Sequence, residues 1–267
     1  MSLPDLSAVR GFANLRDVGG LPAGSTSVRH GVLLRADAPG RLDDAAIDAL
    51  RGAGVRHVLD LRDLEEASHQ PTPFAAAGFD VRSLPIFAGS ARSFATVGTS
   101  LRAMYVGMAA DCGTTLTDAV RYVAAPGAAE DEPVGVGTAD AAGGVGTADA
   151  AGGVLVHCTA GKDRTGLTVA LALRAVGVAR DVVVENYAET EARLRGPWLA
   201  AKLELLRAVV GDAAESYTDM LVTSPAEVLE EFLDTVEDGS REATRPYLRA
   251  HGMTDDELDT LAHRLLA

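Results

Sequence analysis

The chain has 267 residues, 47% of them hydrophobic and 4% aromatic, with a formal net charge of −14. That length and apolar content suffice for a substantial buried core and argue against general disorder. The acidic balance argues against a nucleic-acid partner, which needs a cationic face, and against general attraction to anionic membranes.

Two cysteines, Cys112 and Cys158, imply no disulfide framework. The opening residues, Met1 to Asp5, lack the basic-then-apolar pattern of a signal peptide, and no apolar run reaches membrane-spanning length. The expectation is a cytoplasmic protein without an integral membrane segment, with export by a signal-less route left open.

In chain order, Phe12 to Leu21 combines polar residues with the Gly19-Gly20 pair, the composition of a shaped loop or hairpin. Val32 to Arg35 predicts a short strand. Asp43 and Asp44 predict the cap of a helix over 45–50 that ends at Gly52 or Gly54. Val55 to Arg62 reads as a buried strand ending in charge, and Phe79 to Ile86 as a strand closed by proline. From Ser90 to Met108 the pattern weakens. One or two mobile helices over a site, or an amphipathic helix packed on a sheet, would both fit. Thr115 to Ala125 predicts a helix stopped by Pro126.

Residues 126–153 are low in complexity: Gly135 to Gly143 is repeated exactly as Gly144 to Gly152. Two glycine-rich copies are too few for a solenoid, and the segment is expected to be a flexible surface insertion. A calcium-binding repeat is the sharper alternative, with Asp140 and Asp149 as its only repeated carboxylates.

Val154 to Gly166 carries the chemistry. An apolar run leads into His157-Cys158, a loop of small residues follows, and Arg164-Thr165-Gly166 opens the helical pattern of residues 167–176, closed by Gly177. Further helices are predicted from Asp181 to Leu194, from Pro197 to Val210, from Ser224-Pro225 to about Asp238, and from the Thr254–Glu257 capping box onward. Strands cluster before residue 160 and helices dominate after it. The expected architecture is α/β, a central mostly parallel sheet flanked by helices with a helical C-terminal half, in one domain over 1–267.

A strand-to-helix loop of this kind suits a phosphate ester. Cys158 would be the nucleophile, held as thiolate at a helix N-terminus. Amides from Thr159, Ala160, Gly161 and Lys162 to Arg164 would cradle the equatorial oxygens, with Gly161 allowing close backbone approach. Arg164 offers a planar fork for two phosphate oxygens. Thr165 would place a hydroxyl near the sulfur, and His157 would brace the loop rather than act as base. A sulfur transferase of the rhodanese type also uses a cysteine loop, though not normally with this Gly-Lys-Asp-Arg-Thr-Gly ending.

The stretch His157 to Gly166 resembles the signature of the cysteine-dependent protein tyrosine phosphatase superfamily, and its Gly-Lys-Asp-Arg form resembles the bacterial tyrosine/lipid phosphatase group. Asn14 to Gly20, Val58 to Arg62 and Tyr247 to Asp255 resemble further elements of that group. The resemblance implies hydrolysis of phosphate monoesters through a phosphocysteine intermediate, with no cofactor or metal, on a phosphotyrosine protein or a phosphoinositide substrate. It implies Asp163 as the general acid, since Asp80 and Asp111 are weaker placements, and Lys162 as a cation tolerant of an extra inositol phosphate. Asn14, Arg16, Asp17, Asp60 and Arg62 are expected to form a polar network behind the loop. Cys112 is expected to be structural, a resolving thiol for Cys158 being the alternative.

Overall fold

The computed structural model describes Leu6 and residues 9–86, 100–127, 152–239 and 243–267. The duplicated segment apart from its last residue, Gly152, and the first part of the weakly patterned stretch, residues 90–99, lie outside the described residues.

Five strands form one sheet in the order β1 (Arg16–Asp17), β4 (Leu33–Ala36), β7 (Gly153–His157), β5 (Val55–Asp60), β6 (Asp80–Ser83). The β4–β7, β7–β5 and β5–β6 pairs are parallel, and β1 lies antiparallel on the edge. Pro22–Ala23 and Thr26–Ser27, β2 and β3, make a separate small hairpin.

The central strands are apolar because both faces are covered. On one face Leu34, Leu155, Val55 and Val58 pack with Leu50 of helix α1 (Asp44–Gly52) and with Phe74 and Phe79. On the other, Leu33, Leu59, Val154 and Val156 pack with Leu167 and Leu171 of the helix after β7 and with the C-terminal helices. Neighbouring residues Leu33 and Leu34, or Val154 and Leu155, thus serve opposite layers, as the two-residue period of a strand requires.

The predicted elements are present with shifted ends. Asp43 caps α1, its carboxylate accepting from the Ala46 amide at 2.8 Å. The strand predicted to reach Arg62 stops at Asp60, because Arg62 turns back to pair with the Asp60 carboxylate. A helix of six residues, α2 (Leu64–His69), follows with a complete Asp63–Glu66 capping box. Helices α3 (Leu101–Asp111) and α4 (Gly113–Ala124) come next; α3 packs against the C-terminal layer, burying Tyr105 and Met108.

After β7 comes α5 (Asp163–Ala175), which starts before Leu167 and is buried along most of its length. Then follow α6 (Arg180–Leu194), α7 (Pro197–Val210), a 3-10 turn at Gly211–Tyr217, α8 (Thr218–Val222), α9 (Ala226–Val236), α10 (Arg245–Ala250) and α11 (Asp255–Leu265). The helices Leu64–His69 and Arg245–Ala250 and the segment Gly211–Val222 are described helical regions not anticipated above. Ser224 does not cap α9; its hydroxyl donates to the Ala188 carbonyl and accepts from the Glu191 amide, tying that turn to α6. Asp181 lies in the first turn of α6 rather than at its cap. Among the described residues, no helix is long and apolar enough to cross a membrane.

Candidate active site

Three parallel strands end at one level. Ala36 of β4, His157 of β7 and Asp60 of β5 are register partners, so the next residues of each strand meet at the carboxyl edge of the sheet. Open α/β sheets place ligands at this edge. Cys158, 2% exposed, is the first residue past the central strand.

The loop from Cys158 to the start of α5 is folded hard against β4. Gly161 has a φ of +65°, and a Cβ there would stand 2.3 Å from the Ala36 carbonyl oxygen. Only glycine fits that approach. The loop's carbonyls are drawn into the scaffold. Thr159 O accepts from the Ala38 amide at 3.2 Å. The Asn14 side-chain amide donates to Ala160 O and Gly161 O, both at 3.0 Å, and Arg35 donates to Gly161 O at 2.9 Å. Among the described residues, no backbone N–H from Thr159 to Arg164 has a protein acceptor. Carbonyls tied back and amides left free, at a helix N-terminus, make an anion cradle.

Behind the cradle lies a buried polar web. Arg16 donates to the Asn14 carbonyl and side-chain oxygens and, at 2.7 Å, to the Asn186 carbonyl; Arg35 reaches Asn186 Oδ1 at 3.1 Å. Burial, reinforced by neighbouring Arg35, brings the Arg16 guanidinium down to about 7. Asp37 accepts from the Ala13 and Asn14 amides at 2.9 and 2.8 Å, and burial raises its carboxyl to about 6.

Arg164 lies in the first turn of α5 and is gripped by Glu66 of α2, with Nη1 at 2.5 Å from Oε2 and Nη2 at 2.7 Å from Oε1. The same carboxylate accepts from the Thr159 hydroxyl at 2.7 Å. Burial alone would raise Glu66, but its bonds to Arg164 and Thr159 outweigh that and hold it at about 2. This bidentate clamp fixes the plane of the guanidinium.

Asp163 accepts from the Tyr105 hydroxyl at 2.7 Å, and Tyr105 shares a 2.8 Å hydrogen bond with the Tyr187 hydroxyl. Lys162 is 1% exposed; its ammonium lies 3.6 Å from Asp163 Oδ1 and donates to the Met220 carbonyl at 2.7 Å. His157 is fully buried against Phe74, with Nδ1 3.3 Å from the Cys158 carbonyl and Nε2 3.7 Å from Asp60. Burial brings it down to about 4, so it is neutral near pH 7 and serves as a brace.

The structure therefore brings His157, Cys158, Thr159, Ala160, Gly161, Lys162, Asp163, Arg164 and Thr165 to one loop and helix start, with Asn14 and Arg16 behind them. The Thr165 hydroxyl is buried with no hydrogen-bond partner among the described residues, and so makes no bond to the sulfur here. Asp17 does not join the network; it accepts from the Gly19 and Gly31 amides and braces the turn. Asp80 faces His57 on the edge strand. Among the described residues, neither Cys112 nor Cys158 is joined in a disulfide. Among the described residues, no group of three or more His, Cys, Asp or Glu is arranged to hold a metal ion.

Sequence reasoning missed Glu66, Arg35, Tyr105 and Tyr187. A charged residue inside the apolar Val32–Arg35 strand was the available signal for Arg35, and the unread Asp63-x-x-Glu66 capping pattern was the available signal for the helix that carries Glu66.

Residues 7–267 match the tyrosine phosphatase family. The triple specificity protein phosphatase PtpB of Mycobacterium tuberculosis is 33% identical over 193 residues, 66% of each chain. A Cupriavidus necator relative that bears a tyrosine-protein phosphatase name is 34% identical over 68% of this chain and 62% of its own. A tyrosine-protein phosphatase of Nostoc commune is 31% identical over 64% of this chain and 52% of its own. The alignments span two thirds or less of the relatives' own length. With a family match over nearly its whole length, the chain belongs to the cysteine-based tyrosine phosphatase superfamily.

Proposed function

We propose that residues 1–267 form one catalytic unit that hydrolyses phosphotyrosine and related phosphate monoesters through a phosphocysteine intermediate. The Cys158 thiolate attacks phosphorus, the ester P–O bond breaks, and the leaving oxygen takes a proton from Asp163. A water then attacks the phosphocysteine, passing its proton to the Asp163 carboxylate, and the S–P bond breaks to release inorganic phosphate and the thiolate. Arg164 and the free amides from Thr159 onward hold the equatorial oxygens through both steps.

One observation carries this reading: Cys158 and Arg164 bracket a loop whose carbonyls are bound elsewhere and whose amides are not. Thiolate stabilisation and oxyanion binding both come from that arrangement. The test is turnover of a phosphotyrosine peptide and aryl phosphates by wild type and Cys158→Ser. The serine variant should lose turnover while retaining phosphate-ester binding; full turnover by Cys158→Ser would refute the mechanism.

A second reading, activity on phosphoinositides, rests on Lys162, a further cation on the same loop. Its ammonium is now bound to the Met220 carbonyl, so engagement of a ring phosphate requires that contact to break. A lipid and phosphopeptide panel with Lys162→Ala separates the readings: selective loss on lipid headgroups supports it, and equal loss on both substrates removes it.

A further inference from the structure

The two oxygens of Asp163 stand in different surroundings. Oδ1 accepts the Tyr105 proton at 2.7 Å and faces the Lys162 ammonium at 3.6 Å. Among the described residues, no hydrogen bond reaches Oδ2. The Asp163 side chain is 26% exposed, whereas Tyr105 is fully buried on α3. Tyr105 is in turn held by Tyr187 of α6 at 2.8 Å, their rings edge to face.

A phenol has a single proton to give. When Tyr105 gives it to Oδ1, its own oxygen must take the proton of Tyr187, so the order runs Tyr187 to Tyr105 to Asp163. Burial first, and then the neighbouring Asp163, raise Tyr105 well above its usual value, so the phenol stays protonated and acts as a fixed donor. Were Oδ1 to carry the acid proton and donate it to Tyr105, both hydroxyls would have to reverse, and the neutral oxygen would lose its attraction to the ammonium 3.6 Å away.

Resting on the reading of Asp163 as acid, we infer that Tyr105 is a positioning residue that reserves Oδ1 as an acceptor and so leaves Oδ2 as the oxygen that protonates the leaving group. The Lys162 ammonium, 3.6 Å from the same oxygen, reinforces the choice. Of the remaining charged neighbours, Arg164 on the same helix is committed to Glu66, and Arg35 on β4 to Gly161 O and Asn186.

The test is kcat/KM of the full chain on aryl phosphates running from p-nitrophenol, which needs no protonation to leave, to phenol and a phosphotyrosine peptide, which do. Asp163→Asn should lose about 10²–10⁴-fold at the phenol end and far less at the nitrophenol end. Tyr105→Phe should lose roughly 10-fold at the phenol end and under about 3-fold with nitrophenol, a fraction of the acid's own contribution. Tyr187→Phe, which leaves Tyr105 in place but unheld, should show a smaller loss in the same direction and serves if Tyr105→Phe does not fold. A loss equal across the series, or none, in these tyrosine variants overturns the inference while a steep Asp163→Asn series keeps the acid reading. A flat Asp163→Asn series overturns both.

Discussion

Replacing Glu66 by Gln keeps the side chain's shape and removes the charge that clamps Arg164. Each factor of ten in proton affinity is worth about 1.4 kcal/mol. A carboxyl brought from 4.5 to about 2 by a partner, against the opposing effect of burial, bounds the interaction near ~3 kcal/mol. The Glu66 side chain is 13% exposed, and the solvent that reaches it trims this to about 2 kcal/mol. The sign follows from the lowered carboxyl. The folded state favours the charged form, so the stabilisation is complete above about 4.5 and is lost as pH falls through about 2. Urea unfolding of wild type and Glu66→Gln at a series of pH values should therefore give a difference of about 2 kcal/mol at pH 7, roughly halved by pH 3. A difference that does not change with pH, or one below about 0.5 kcal/mol at pH 7, would show that the clamp contributes shape and not charge.

Three further outcomes can be checked. Gly161→Ala forces a left-handed backbone onto an L-residue and drives its Cβ into the Ala36 carbonyl; a loss of about 2–4 kcal/mol in urea unfolding is expected, and a wild-type melt would contradict the steric argument. His157, brought from 6.5 to about 4 by burial, makes the folded state resist a proton that the unfolded chain accepts, so stability should fall as pH drops from about 6.5 to 4; in His157→Asn that slope, read from the same unfolding curves, should flatten. Lys162→Met keeps the buried stem but frees the Met220 carbonyl, so amides of Thr218–Val222 should exchange hydrogen faster by mass spectrometry; unchanged rates would mean that the contact does not hold the segment.

The strand, loop and helix around Cys158 were legible because they are local: an apolar run, small residues and a helix start lie within a few positions of one another. Asn14 and Arg16 were legible only through their resemblance to a known motif, since nothing in their neighbourhood predicts a partner at Gly161. Glu66 meets Arg164 across 98 residues, Tyr105 meets Asp163 across 58, and Arg35 meets Gly161 across 126. Pairings of that range depend on how the layers stack, and periodicity does not encode them. Ser224 shows the converse, a local capping signature overridden because its hydroxyl finds better partners on α6. Asp17 was grouped with its motif neighbours, yet successive strand residues face opposite ways, and its carboxylate was taken by the turn amides.

The two glycines that flank residues 128–151 have a consequence for how the chain can change length. A Cβ at Gly127 would touch His57, and one at Gly152 would touch Arg56, so the chain leaves and returns beside adjacent residues of β5. Those residues lie toward the start of their strand, while Cys158 follows the far end of β7. Any change in the number of nine-residue copies between these two glycines therefore enters the chain at a doorway separated from the cysteine by the length of a strand.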